Sequence, residues 1–280
     1  MESVGDIIGV LINGYNIGFC SANEDDYMAD DGLLHCHVCN EPKQKYRKGI
    51  LMGRQCKCVR EQIEEEIRQK KKEEAAERIR VLRNASLMNG ILTDASFDKC
   101  SITSNNERNM DICKGYVEHF DEMKGKNHGL LFWGAVGTGK SYAAACIANA
   151  LINQGHTVVM TSIVRLLSLP QDEEFDMLLR RMMNCELMIL DDLGAERDTG
   201  YALEKVYYVI ESRYRSGKPL IVTTNLVLED MRKVEDETYG RTYDRVLDAC
   251  YPMQWTGPSW RKVQAKKKFD DFENILGIKP

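Results

Sequence analysis

Apolar positions in the second half of this chain fall into a repeating order. Residues 130–133, 157–161, 187–191, 220–224 and 253–255 are short apolar runs of strand length, and 142–154, 175–184 and 201–215 between them carry helical periodicity. Strands alternating with helices in this way imply a mostly parallel sheet covered on both faces. Ligands of such sheets bind at the carboxyl ends of the strands, so the chemistry is expected there.

The first half follows a different pattern. Residues 61–83, EQIEEEIRQKKKEEAAERIRVLR, are good helix formers with only a thin apolar stripe at Ile63, Ile67, Ile79 and Leu82. They read either as a solvated connecting helix or as one that docks on a partner. Residues 84–98 supply caps and breakers, which puts a boundary near residue 95. Ahead of the helix, four cysteines crowd between residues 36 and 58 among turn residues and basic side chains. Residues 1–34 contain a short apolar run at 7–12 and an acidic cluster at Glu24, Asp25 and Asp26, to which no function is assigned. The expected organisation is a small module over 1–60, a helical linker over 61–95 and an α/β domain over 96–280.

Composition narrows the class. The 280 residues are 43% hydrophobic and 29% charged, enough for a core and too apolar for a disordered chain. No run approaches the roughly 20 apolar residues of a membrane span, and Glu2 and Asp6 stand where an export signal carries Lys or Arg. A cytoplasmic protein without a membrane partner is expected, its ten cysteines reduced. A net charge of −5 excludes wholesale basic wrapping of duplex DNA and leaves room for a local basic patch.

Directly after the first strand comes Gly134-Ala135-Val136-Gly137-Thr138-Gly139-Lys140-Ser141, a GxxxxGK[ST] sequence that opens a helix. Small residues let backbone N–H groups curl around phosphate oxygens at a helix N-terminus, where the dipole favours anions. Lys140 is expected to reach the β and γ phosphates of ATP, and Ser141 to give its hydroxyl to Mg²⁺. The strand at 187–191 ends in Asp191-Asp192. Two acids at the carboxyl edge beside a phosphate loop suit metal and water handling: Asp191 for Mg²⁺, Asp192 to orient the attacking water. One strand, 157–161, separates loop and acids in sequence, leaving room for an inserted strand between theirs in the sheet. Asn225, closing the run Leu220-Ile-Val-Thr-Thr-Asn225, is placed to position that water.

These motifs together carry a resemblance. The stretch LMILDDLGAERDTGYALEKVYYVIESRYRSGKPLIVTTNL, with its DDLG, ESRY, GKP and TTNL elements, resembles the DnaC and IstB branch of AAA+ ATPases over about residues 97–262. The resemblance implies a P-loop AAA+ (ASCE) sheet with an extra strand between the phosphate-loop and acidic strands. Arg241-Thr-Tyr-Asp-Arg245-Val-Leu-Asp resembles the segment that holds an arginine finger, with Arg245 on the matching position and Arg241 on the same helical face. A finger acts in trans and so implies a homo-oligomer; the other reading of Arg245 is a surface salt bridge to Asp244 or Asp248. Ser259-Trp260-Arg261 resembles the terminal Ser-Tyr-Arg element, with Trp for Tyr, which implies that Arg261 senses nucleotide. Few residues follow it, so little or no helical lid is expected.

Cys36-His-Val-Cys39 and, sixteen residues on, Cys56-Lys-Cys58 make two close thiol pairs, a set suited to tetrahedral Zn²⁺. His35 or His37 is an alternative ligand for one position. No βαβ pattern surrounds the pair to support a redox role. Lys43, Lys45, Arg47, Lys48, Arg54, Lys57 and Arg60 fill the interval from 43 to 60 without an acid. They either offset the thiolates or touch nucleic acid or an acidic partner. Cysteines 20, 100, 113, 146, 185 and 250 show no ligand spacing and read as small buried hydrophobes.

Similar cysteine knuckles precede the ATPase core in helicase loaders of this branch, whereas the IstB transposition helpers usually lack them. What the resemblance implies first is therefore an ATPase that binds the DnaB-type replicative helicase and single-stranded DNA during replication initiation. The alternatives are a transposase-assisting ATPase on duplex DNA and a zinc-bearing adaptor that uses nucleotide only as a switch.

Overall fold

The computed structural model describes residues 23–86, 88, 90–170, 173–195 and 200–277. The apolar run at 7–12 and Cys20 lie outside them. The chain forms two compact units that divide between Ala76 and Glu77. Among the described residues no helix is long and apolar enough to cross a membrane.

The first unit is two short antiparallel ladders followed by a helix. β1 (Tyr27–Met28) pairs with β2 (Leu34–His35), and β3 (Gln44–Arg47) pairs with β4 (Ile50–Gly53) in the register Arg47↔Ile50. The second hairpin closes through Lys48 and Gly49 at φ 50° and 78°. Two central residues at positive φ make the two-residue turn whose twist matches that of paired strands. Helix α1 (Lys57–Ala85) buries none of its residues, as its charge pattern leads one to expect. Ile67 is half exposed, while the helix residues from Glu77 on belong to the second unit, where Ile79 and Leu82 pack on its core.

The second unit is a five-stranded sheet between helices. Helices α2 (Glu107–Glu118) and α3 (Phe120–Gly125) lead into β5 (Gly129–Gly134), α4 (Lys140–Asn153) and β6 (Val158–Ser162). Then follow α5 (Ile163–Ser168), α6 (Glu173–Asn184), β7 (Leu187–Leu193), α7 (Gly200–Arg215) and β8 (Leu220–Thr224). The chain continues through α8 (Leu228–Lys233), α9 (Glu237–Ala249), β9 (Cys250–Trp255) and α10 (Trp260–Leu276). The strands are parallel in the order β6-β7-β8-β5-β9, so β8 is the strand inserted between the phosphate-loop strand β5 and the acidic strand β7.

Both faces of the sheet are buried, which is why its strands are apolar throughout. Leu130, Phe132, Met160, Ile189 and Ile221 join the core under α2 and α4. Their neighbours Leu131, Val159, Leu190 and Val222 point the other way, into the core under α5, α6, α7 and α9. Alternate residues serve opposite cores because strand side chains have a period of two.

The Arg of the ESRY element has a structural task. Arg213 is fully buried and donates to the carbonyls of Pro219, Met182, Cys185 and Glu186 at 2.8–3.2 Å. A guanidinium answered on all sides by carbonyl oxygens satisfies its donors, which a buried cation requires. It ties the end of α6 to the segments that enter β7 and β8, strands that both reach the candidate site.

Candidate functional site

The phosphate loop is built by tight backbone approach. Gly134 ends β5 at φ 132°, and a Cβ there would lie 2.3 Å from the Trp255 carbonyl oxygen of β9. Gly137, at φ 83°, would place a Cβ 2.2 Å from Ser259 Oγ. Both positions therefore demand glycine. Thr138 Oγ1 donates to the Ala135 carbonyl at 2.9 Å and braces the turn, while Val136 is exposed. Gly139 caps α4 in the left-handed conformation, leaving the first N–H groups of the helix facing the loop.

Lys140 is buried, and its Nζ donates to the carbonyls of Gly134 and Ala135 and to Asn225 Oδ1, each at 2.8 Å. Burial lowers its pKa, and the charges of Asp192 and Asp191 pull in the opposite direction. The first residue after β8 and the lysine of the loop thus meet.

The acidic pair sits on a β-bulge. Between the pairings Leu190↔Val222 and Leu193↔Thr224, Asp191 and Asp192 stand against the single residue Thr223. The Thr223 hydroxyl donates to Asp191 Oδ1 at 2.6 Å and accepts from the Asp192 backbone N–H at 3.0 Å. Asp192 takes φ 61°, the left-handed region that L residues rarely enter. Asp191 is buried, which raises its pKa, while hydrogen bonds from Thr223 and Ser141 work to lower it.

These groups line a cavity of about 570 Å³, with Gly137, Lys140, Ser141, Asp191, Asp192 and Asn225 at one end. Arg261 also lines it, from the first turn of α10, whose Trp260 N–H donates to the Gly137 carbonyl at 2.9 Å. Ile91, Leu92, Cys100 and Met110, which sequence reasoning missed, line the cavity as well. The segment 84–98 carries no motif, only caps and breakers, and its place is set by Asn149 of α4. That side chain donates to the carbonyls of Leu92 and Ala95 at 2.9 Å each. Cys100 is half-buried at the cavity wall, 3.6 Å from Cys146 Sγ, and so departs from the buried role expected of it; Cys113, Cys146, Cys185 and Cys250 are core residues.

Arg245 lies outside that cavity. Its guanidinium donates to Glu211 at 2.9 Å and Asp244 at 3.1 Å and stacks over Tyr214, 5.2 Å from the ring centre. The Tyr214 hydroxyl occupies Asp248, so of the two expected carboxylates only Asp244 is used. Arg241 pairs with Glu237 on its own helix.

In the first unit the Sγ atoms of Cys36, Cys39, Cys56 and Cys58 all lie within 4.8 Å of one another. Cys58 Sγ is 3.5 Å from Cys36 Sγ and 3.3 Å from Cys56 Sγ. A tetrahedral zinc with Zn–S near 2.3 Å sets its sulfurs about 3.8 Å apart, so the set fits such an ion. Backbone N–H groups lower Cys36, through Cys39 and Val38, and help bring Cys39 down to about 6, through Cys58 and Glu41, while the neighbouring thiols of Cys56 and Cys36 push Cys58 up to about 12. Both ring nitrogens of His35 are engaged, Nδ1 with the Asn40 carbonyl and Nε2 with Asp31, each at 2.9 Å. His37 Nδ1 instead faces Asp26 at 3.2 Å.

Comparison with known proteins places the chain in a family. The family of IstB-like ATP binding proteins matches residues 60–268. The replicative helicase loader DnaC of Escherichia coli strain K12 is 26% identical over 170 residues, 58% of this chain and 67% of that protein. The putative insertion sequence ATP-binding protein y4uH of Sinorhizobium fredii is 27% identical over 144 residues, 50% of this chain and 58% of that protein. The crystal structure of DnaI shares the fold with TM-score 0.52 at 21% identity, over 62% of this chain and 94% of that one. That of the DnaC helicase loader does so with TM-score 0.51 at 22% identity, over 60% and 100%. With its phosphate loop, inserted strand and acidic bulge inside the matched residues, the chain belongs to the IstB-like ATP-binding family, the DnaC and IstB branch of the AAA+ fold.

Proposed function

We propose that this protein is an ATP-hydrolysing helicase loader that engages a hexameric replicative helicase and single-stranded DNA. The observation that carries the ATPase part is the convergence of Lys140, Asn225, Ser141 and the Asp191–Asp192 bulge on one cavity. The loader part rests on similarity to DnaC together with a cysteine cluster ahead of the core.

Lys140 and the N–H groups of the phosphate loop would hold the β and γ phosphates of ATP, and Ser141 and Asp191 the Mg²⁺. Bound MgATP supplies a phosphoryl group whose transfer to water releases energy for remodelling the partner. Asp192 orients the water and takes its proton, Asn225 fixes the direction of approach, and Arg261 reports nucleotide to α10. The apolar wall of Ile91, Leu92 and Met110 takes the base. Arg245, about a third exposed and outside its own chain's cavity, is offered to the γ phosphate of a neighbouring protomer. The four thiolates hold zinc and close a module too small to fold on its own core.

The test is capture of the purified replicative helicase by the full chain, with and without ATP and a zinc chelator. Capture that fails after chelation is the expected result, and Lys140→Ala should bind no nucleotide. Absence of capture under every condition refutes the loader reading. The similarity to y4uH favours a second reading, a transposase-assisting ATPase, for which binding to duplex DNA is the distinguishing result.

A further inference from the structure

The basic residues between 43 and 60 divide into two groups. Lys43 is buried and ion-paired with Asp26 at 2.5 Å, Arg54 and Arg60 reach Glu41 at 3.3 and 3.1 Å, and Lys57 faces Glu61 at 3.8 Å. These four are committed to local carboxylates. Lys45, Arg47 and Lys48 have no ion pair with any described residue, and all three stand exposed at the β3–β4 hairpin. Offsetting the module's own charge therefore explains one group and leaves the other.

The same hairpin displays Tyr46 at 65% and Ile50 at 67% exposure. Strand alternation puts Tyr46 on one face beside its register partner Leu51, with Lys45 and Arg47 on the opposite face beside Ile50 and Met52. Its two-residue turn holds these side chains in a fixed order, so little is lost in arranging them for a ligand. A single strand lying along the outer edge of β3 would meet cations on one face and the ring on the other, which answers both its needs, since its phosphates seek positive charge and its unpaired bases an aromatic face. Duplex DNA keeps its bases stacked inside and offers that ring nothing. In a chain of net charge −5, such binding must come from a local patch of this kind.

We propose that the β3–β4 hairpin is a contact for single-stranded nucleic acid, with Lys45, Arg47 and Lys48 on the phosphates and Tyr46 stacked on a base. The inference rests on the reading of the protein as a handler of single strands and adds a contact separate from the ATPase core. The experiment is fluorescence anisotropy of the full chain with a labelled oligothymidylate longer than one site of about 4–16 nucleotides, over a salt series. Tyr46→Ala should weaken binding by about fivefold or more. Combined K45Q, R47Q and K48Q should weaken it further and flatten the slope of log K against log salt by about 2, since each lost phosphate contact removes roughly 0.7. Zinc content and DNA-free ATP hydrolysis should match wild type, because the hairpin belongs to neither site. Wild-type affinity and slope in both variants would overturn the hairpin contact while leaving single-strand binding intact. No binding by the wild-type chain would overturn both. Normal DNA binding with lost helicase capture would assign the hairpin to the protein partner and overturn the proposal equally.

Discussion

Replacing Thr223 with valine keeps the shape of a buried side chain and removes one hydroxyl. That hydroxyl donates to Asp191 at 2.6 Å and accepts from the Asp192 N–H at 3.0 Å, so it fastens both acids of the bulge to β8. A hydrogen bond to a charged group contributes about 1.5–3 kcal/mol, and a buried donor left without an acceptor costs about 1–3 kcal/mol. Thr223→Val should therefore destabilise the chain by roughly 2.5–6 kcal/mol, a large share of the 5–15 kcal/mol typical of a domain. The functional loss has a separate size. Asp192 is held at φ 61°, and with its N–H released the bulge relaxes and both carboxylates shift. Groups that orient a metal ligand typically matter by about 10–100-fold in metal affinity or activity. Denaturant unfolding measures the first effect, and steady-state ATP hydrolysis across a Mg²⁺ titration the second. Thr223→Ser keeps the hydroxyl and should retain most of both. A Thr223→Val protein with the wild-type unfolding midpoint, turnover and Mg²⁺ dependence would refute the reasoning.

Three further outcomes are expected. Asn tolerates the left-handed conformation, so Asp192→Asn should leave the unfolding midpoint nearly unchanged while lowering turnover by about 10²-fold or more with nucleotide binding retained; equal turnover in a steady-state assay would remove Asp192 from the chemistry. Purified protein should carry about one zinc per chain by elemental analysis, falling in Cys56→Ser, because the four thiols are expected to act as one tetrahedral set. Glu186 is bound by Lys124 at 2.7 Å, the Thr157 N–H at 2.9 Å and His156 at 3.3 Å. Burial works to raise its pKa, and these partners outweigh it, leaving it at about 2 against an ordinary 4.5. A depressed folded-state pKa gives stability that is fully present above about pH 4.5 and lost as pH falls toward 2. Glu186→Gln should thus be less stable than wild type at pH 7 by on the order of 1–2 kcal/mol after solvent screening, with the gap closing toward pH 2 in denaturant titrations.

Much of the α/β unit was legible in the residues. Apolar runs at strand length marked all five strands, because strands buried on both faces have no polar side to blur the signal. The phosphate loop was legible because its glycines answer to backbone geometry, as the Cβ clashes at Gly134 and Gly137 show. Pairing of the cysteines by spacing likewise foretold a cluster, since thiols two or three residues apart on a turn already point together. Local chemistry of this kind is written in consecutive residues.

What the sequence could not supply were relations between segments far apart in the chain. Thr223 looked like one more β-branched strand residue until the bulge set it against both acids. Ile91, Leu92 and Met110 carried no motif; two bonds from Asn149, 54 and 57 positions away, and packing of Leu92 and Ala95 on the core hold the first of these segments at the cavity wall. The seven basic residues formed one uniform run in sequence. Folding sorted them, because Asp26 and Glu41 lie close enough in space to claim three of them, and Glu61, one helical turn on, claims Lys57. Residue type and local spacing thus determined which chemistry is present, while packing decided which group faces which, since hydrogen bonds and ion pairs act over a few ångströms of space and take no account of distance along the chain.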